Sequence, residues 1–450
     1  MLNIDRQNLL DIFSSAIAAV DPYRAVLQAV KIEFSKLYVG SETYDLESFE
    51  RIIVIGAGKA TARMALAVEV LLKGKIDCGL IIIKNGHAEP LSIVEQVESS
   101  HPVPAEAGMS GTRRLLEMVR AADEKTLVIC LLSGGASALL LAPVDGISLH
   151  DKQEVTQLLL NAGASINELN AVRKHLSSVK GGGLAQAAHP ARMFALIMSD
   201  VIGDPLDVIA SGPTVADSST FADAWKVMLR YRLTEKLPPR VAAYLQRGMA
   251  GEAPETVKQN NPCLTTVQNV TIASIRQALL AAQENASQLG YETRIVTDQL
   301  HGEARDAAGF LAQVARDELV SMKPNEKRCL LCGGETTVTV RGGGVGGRNQ
   351  ELALAFALEI DGLQGVSLLS AGTDGTDGPN EAAGAMVDGT TVSQAQGAGI
   401  DTFSYLVNND SYHFFQQFDA VTGAHSHLIT GPTGTNVMDI QIMLLSNEQP

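Results

Sequence analysis

The chain has 450 residues, enough for two or three cores, since a single core rarely grows past about 250–300 residues. A net charge of −15 and a pI near 5.1 exclude a broadly basic nucleic-acid surface. Hydrophobic residues make up 46% of the chain, yet no apolar run approaches the roughly 20 residues of a membrane span, so neither nucleic acid nor membrane is an expected partner.

Taken in chain order, the start MLNIDRQNLLDIF carries an acid at position 5 and no basic stretch before an apolar run. It does not read as a signal peptide, and a cytoplasmic enzyme is the expectation. RIIVIGAG (51–58) reads as a buried strand entering a glycine turn, with a helix over 59–72 and a second strand over 79–84. TLVICLLSGG (126–135) and ARMFALIMSD (191–200) repeat the theme. Near-continuous apolar strands alternating with helices predict a parallel sheet covered on both faces. The stretch 237–262 mixes Pro, Gly and charge and reads as a boundary, giving an N-terminal domain over 1–250 and a C-terminal one over 251–450. Alternation then resumes, with helices over 274–289, 303–320 and 349–359 and strands over 291–297, 329–340 and 365–370. The fold class is α/β: a Rossmann-like parallel-sheet domain followed by a smaller α/β domain. Cys329 and Cys332 form a CxxC inside an apolar strand with no further ligands at metal spacing, and read as core cysteines.

The loops between these elements carry the chemistry. Gly56 and Gly58 open a helix after a strand, where backbone N–H groups and the helix dipole attract an anion, and Lys59 follows them. A Walker A loop needs Ser or Thr after the lysine, where this chain has Ala60; a dinucleotide fingerprint needs a third Gly or Ala, where it has Thr61. Ser133, Gly134, Gly135 and Ser137 form a second such junction. Arg173 and Lys180 flank Gly181, Gly182 and Gly183, a combination that suits phosphate. Asp200 lies at a strand end. In the second half, residues 332–351 hold seven glycines together with Glu335, Arg348 and Asn349. Asp374 and Asp377 lie in AGTDGTDGP and suit Mg²⁺, which commonly takes one or two carboxylates plus phosphate and water. The last loop contributes Asn436. Cations, glycine amides and carboxylates together suit phosphoryl transfer.

The ordered segments IGAGKA, SSHPVPAEAG, LLSGGASALL, NAVRKHLSSVKGGGLA, SDVIGDP, GGETTVTVRGGGVGGRNQELALA, GTDGTDGP and GPTGTNVMD run from about residue 51 to 440. In this set the chain resembles the type II glycerate kinases, the glycerate 2-kinase family whose C-terminal part is the MOFRL domain. The resemblance implies transfer of the ATP γ-phosphoryl group to the 2-hydroxyl of D-glycerate, with Mg²⁺ required and an active cleft between two domains. It places Lys59 and Arg348 as catalytic residues. His101, with the glycine-loop residues above, Glu335, Asn349 and Asn436, is then expected to bind substrate or phosphate, and Asp200, Asp374 or Asp377 to bind metal. The expected partners are D-glycerate and ATP, on a monomer or homodimer. Some relatives bear a hydroxypyruvate reductase label, so an NAD(P)-dependent reductase is the alternative, which the poor dinucleotide fingerprint disfavours.

Overall fold

A strand that is apolar along its whole length needs cover on both faces, and the first half of the chain supplies it. In the computed structural model, which describes residues 3–447, a hairpin sheet of β1 (Val30–Glu33), β2 (Lys36–Val39) and β3 (Glu42–Asp45) precedes the main one. The main sheet is built from β4 (Arg51–Ala57), β5 (Cys78–Lys84), β6 (Val94–Ser99), β7 (Thr126–Leu132), β8 (Arg192–Met198) and β9 (Val267–Ala273), in the order β6-β5-β4-β7-β8-β9. The pairs from β6 through β8 are all parallel. Every residue of β4 after Arg51 is buried, as are all of β7, which is what parallel strands under helices require. Ile53, Ile55, Leu80, Val128 and Cys130 share a core with Leu115 and Val119 of the helix Glu106–Arg120.

The second sheet is mixed. It consists of β10 (Glu292–Glu303), β11 (Lys327–Thr337), β12 (Val366–Gly372), β13 (Gly384–Asp388), β14 (His427–Leu428) and β15 (Asp439–Ser446), in the order β10-β11-β15-β12-β13-β14. Only β10 and β11 run parallel; the other pairs are antiparallel, with the last strand, β15, inserted between β11 and β12. The helices Ala304–Ser321, Arg348–Glu359 and Ser411–Thr422 share its core through Leu311, Leu352, Phe356, Phe414 and Phe418.

The chain separates into two compact units: Pro22–Ile272, and Met1–Asp21 with Ala273–Pro450. This differs from a division at residue 250 in two ways. The stretch 237–262 is not a linker, because its prolines start a helix, Pro239–Met249, whose Val241 and Leu245 are fully buried with the helices Leu149–Asn161 and Phe221–Arg230. The N-terminal helix Asn3–Ala19 buries Leu9, Ile12, Phe13 and Ala16, a stripe at helical spacing, and packs on the helix Ile275–Gln288. Hydrogen bonds fix it there: Asn8 Nδ2 donates to Tyr291 Oη at 2.9 Å, and Thr435 Oγ1 to the Val20 carbonyl at 2.7 Å.

All five cysteines are free; Cys329 and Cys332 are buried in β11, and burial pushes both thiols up to about 12. No helix among the described residues is long and apolar enough to cross a membrane.

Candidate active site

In the unit Pro22–Ile272 the glycine turns after β4 and β7 interlock. Lys59 N–H donates to the Gly134 carbonyl at 2.8 Å and Ser133 N–H to that of Ala57 at 3.2 Å. Gly58 adopts φ +142°, and a Cβ there would stand 2.0 Å from Ser133 Oγ, so only glycine fits. The Ser133 hydroxyl is 3.1 Å from both the Ala60 amide and Thr61 Oγ1. Ser133, expected to hold substrate, is therefore a buried internal brace that joins β7 to the start of the helix Thr61–Leu72.

What the interlocked turns present is a group of side chains around Gly134 and Gly135. The Asp200 carboxylate fills the space a Gly134 side chain would take, 2.4 Å from the Cβ position. The His101 ring and the Lys59 stem lie against Gly135, at 3.0 Å and 3.4 Å from its Cβ position. His87 Nδ1 donates to the Lys59 carbonyl at 3.0 Å, fixing the loop from the other side. Burial raises the Asp200 carboxyl, with the Lys59 ammonium opposing. Burial, then Lys59, Lys84 and His87, push the His101 imidazole down to about 4, so it is neutral at pH 7. The structure thus gathers Lys59, His101, Gly134, Gly135 and Asp200. Among the described residues no carboxylate is within salt-bridge distance of the Lys59 ammonium.

The KGGG segment differs from expectation. Gly181 N–H donates to the Ser211 carbonyl at 3.0 Å, Gly182 N–H to that of Gly212 at 2.7 Å, and Gly183 N–H to that of Lys180 at 3.1 Å. These amides hold protein, not phosphate. They fasten a strained turn in which Ala210, Ser211 and Gly212 all have positive φ, at 53°, 62° and 63°. The cations beside them remain available. Arg173 Nη2 and Lys180 Nζ both donate to the Ser137 carbonyl, at 3.2 Å and 2.8 Å. Lys174 turns elsewhere, to Asp217 at 3.2 Å.

In the other unit, Arg348 opens the helix Arg348–Glu359 and is clamped. Its Nε and Nη2 donate to the two oxygens of Asp439 at 2.6 Å and 2.9 Å, and its Nη1 donates to Glu335 at 2.7 Å. Burial opposes the cation, but Asp439 and Glu335 raise it further and hold it charged. Asp439, the first residue of β15, pairs in register with Gly334 on one side and Gly372 on the other. Sequence reasoning missed it; the signal was an acid entering a central apolar strand, which needs a buried cation.

Three expected ligands are taken up structurally here. Asp377 caps the same helix: Oδ1 accepts from Asn349 N–H at 3.0 Å and Oδ2 from Gln350 N–H at 2.8 Å. Burial pushes its carboxyl up to about 6. With both oxygens directed at the helix start, Asp377 is a cap and not a metal ligand. Asn349 is buried, its Oδ1 accepting from Ser370 Oγ at 2.7 Å. Asn436 Oδ1 accepts from Met438 N–H at 3.1 Å. Asp374 forms an Asx-turn through Oδ1, which accepts from Thr376 N–H at 3.1 Å, and its second oxygen stays open. The glycine strip 341–347 is held by Asn409 Oδ1, which accepts from Arg341 and Gly342 N–H at 2.8 Å and 3.0 Å, and by Asp410, which accepts from Val345 N–H. Among the described residues no group of three or more His, Cys, Asp or Glu side chains is placed to hold a metal.

Comparison with known proteins identifies two family regions. Residues 8–246 match a domain family of unknown function, DUF4147, and residues 328–439 match the MOFRL family. The chain is 42% identical over 438 residues to a D-glycerate 2-kinase of Thermotoga maritima, covering 97% of each, and 40% identical to a glycerate 2-kinase of Pyrococcus horikoshii, covering 98% of this chain and 97% of that one. It is also 42% identical over 398 residues to an Agrobacterium vitis protein provisionally named hydroxypyruvate reductase, covering 88% of this chain and 99% of the relative. A crystal structure of glycerate kinase from Thermotoga maritima superposes with a TM-score of 0.85 at 41% identity, covering 98% and 99% of the two chains. By identity of this order over nearly the full length of its relatives, the chain belongs to the glycerate 2-kinase family with a C-terminal MOFRL domain.

Proposed function

We propose that this chain transfers the γ-phosphoryl group of ATP to the 2-hydroxyl of D-glycerate, giving 2-phosphoglycerate and ADP. Besides family membership, the observation that carries this reading is Lys59, which makes no salt bridge among the described residues and whose stem lies at the Gly134–Gly135 turn with Asp200 and His101. A lysine at a glycine turn that is held by no salt bridge among the described residues is poised for an anion that arrives with the substrate.

In this reading Lys59 neutralises charge on the transferring phosphoryl group. In the other unit Arg348 is held in a fixed position: of the five N–H groups a guanidinium carries, three are bound to Asp439 and Glu335, and the others can meet an anionic oxygen. His101 offers a neutral ring that forms hydrogen bonds without adding charge. Asp200 in one unit and Asp374 in the other each keep a carboxylate oxygen available, and either would hold Mg²⁺, which commonly takes few protein ligands beside phosphate and water. When bound, Mg²⁺ would supply further neutralisation of phosphate charge.

The reductase alternative loses support from Asp77, the acid at the spacing a ribose ligand needs. Its Oδ2 accepts from Ile52 N–H at 2.6 Å, beside the start of β5, away from the strand end where a nucleotide binds. A coupled ADP-release assay with D-glycerate, with and without Mg²⁺, is expected to show Mg²⁺-dependent turnover. No ADP release, together with oxidation of NAD(P)H by hydroxypyruvate, would reverse the assignment.

A further inference from the structure

Lys152 is marked by nothing in its sequence neighbourhood. It lies on the helix Leu149–Asn161, is 6% exposed, and its Nζ atom is buried with no hydrogen-bond partner. A buried, unpartnered ammonium is costly, and proteins normally supply a carboxylate or several carbonyls to such a group. Lys152 has neither. Burial, and then the Arg173 guanidinium, push the Lys152 amine down to about 7, and Lys180, lowered chiefly by burial, is lowered further by Arg173 and Lys152. Arg173 and Lys180 themselves meet on one oxygen, the Ser137 carbonyl, at 3.2 Å and 2.8 Å. Lys180 is 1% exposed and Arg173 only partly so. Among the described residues no carboxylate pairs with any of the three. The nearby acids Asp207 and Asp217 are engaged by Lys174 instead.

Three basic side chains, each held below its ordinary range by burial and without a carboxylate partner among the described residues, make a fold less stable unless something outside the chain completes them. We infer that Lys152, Arg173 and Lys180 form one built oxyanion site in the unit Pro22–Ile272, and that Lys152 is an anion-binding residue of the enzyme. The side-chain cations take the role that the Gly181–Gly183 amides, bonded to Ser211, Gly212 and Lys180, do not. Arg173 is the most exposed of the three. The ligand chemistry is an oxyanion, either a phosphate group of the nucleotide or the carboxylate of the hydroxy acid. The inference rests on the kinase reading for the identity of that anion but not for the existence of the site.

The test uses the full chain and the variants Lys152→Met and Lys152→Arg, with inorganic pyrophosphate and D-glycerate as separate probes of thermal stability. The site predicts that ligand-free Lys152→Met melts above the wild type, because an unpartnered buried amine is gone. It also predicts that the concentration of at least one probe needed for half its stabilising effect rises at least about tenfold, the loss of one charge-assisted hydrogen bond, while Lys152→Arg stays closer to wild type. Loss of the pyrophosphate response assigns the site to phosphate, and loss of the D-glycerate response to carboxylate. A methionine variant that responds to both probes as the wild type does overturns the site, as does a wild type that responds to neither. Lys152→Gln, which keeps a polar head without the charge, repeats the comparison should methionine prevent folding. Turnover is scored separately: wild-type binding of pyrophosphate without ADP release from D-glycerate counts against the kinase reading and leaves the oxyanion site standing.

Discussion

Lys59 and Arg348 share a proposed role but differ in what their removal does to the fold. Lys59 makes no salt bridge among the described residues, so Lys59→Ala is expected to lower kcat at least about tenfold with little change in melting temperature. Arg348→Ala leaves the buried Asp439 carboxylate without its bidentate partner, which costs about 3 kcal/mol, the lower end for a broken buried pair. Adding Asp439→Asn recovers part of that stability and none of the turnover; a double variant that regains kcat would show that Arg348 acts only through the fold. At His101 the prediction concerns pH. Its folded pKa, about 4, lies below the ordinary 6.5, so protonation favours the unfolded chain. The stability it contributes is complete above pH 6.5 and is lost as pH falls towards 4. His101→Gln flattens this part of the acid limb of a melting-temperature profile, and an unaltered profile would show the ring to be freely solvated.

At the scale of elements, the second unit holds its glycine strip largely by side chains, with the Gly344 N–H donating to the Asn408 carbonyl and the Tyr412 N–H to that of Val345. Asn409 joins three parts of it: its Oδ1 accepts from Arg341 and Gly342, and its Nδ2 donates to the buried Glu351, which also binds Arg305 at 2.7 Å. Asn409 has φ +54°, so Asn409→Gly removes the side chain without adding backbone strain. Amides 341 and 342 should then exchange faster with solvent while β11 and β15 keep their protection, at a cost of about 1–3 kcal/mol for the unsatisfied groups. Equal loosening of strip and strands would mean that the strip is not a separate locking device. The helix Pro239–Met249 makes a related point about reading sequences. Pro, Gly and charge resemble a linker in composition, but proline at a helix start and two buried apolar residues four apart make a packed element.

For the whole molecule, the strands of the first sheet were legible because their near-continuous apolar runs have few other solutions. The positions of Lys59 and Arg348 at glycine-to-helix junctions were legible too, since the motif is local. What was not legible depends on partners far apart in sequence. The amides of Gly181 and Gly182 looked free until Ser211 and Gly212 supplied their acceptors, and Asp377 looked like a metal ligand until the helix Arg348–Glu359 was placed on it. The allegiance of the first helix is the largest such case. Leu9, Ile12 and Phe13 are buried with the unit that holds residues 273–450, each such side chain contributing about 1.5–3 kcal/mol. Removal of residues 1–21 is therefore expected to strip hydrogen-exchange protection from β10–β15 while β4, β5, β7 and β8 retain theirs; the reverse pattern would assign the helix to the other unit. The central claim, transfer to the 2-hydroxyl of D-glycerate, is tested most directly by proton-coupled phosphorus NMR of the product formed from ATP and D-glycerate. The account predicts one new phosphomonoester signal split by the single proton on C2. A signal split by two methylene protons, or no new ester at all, would contradict it.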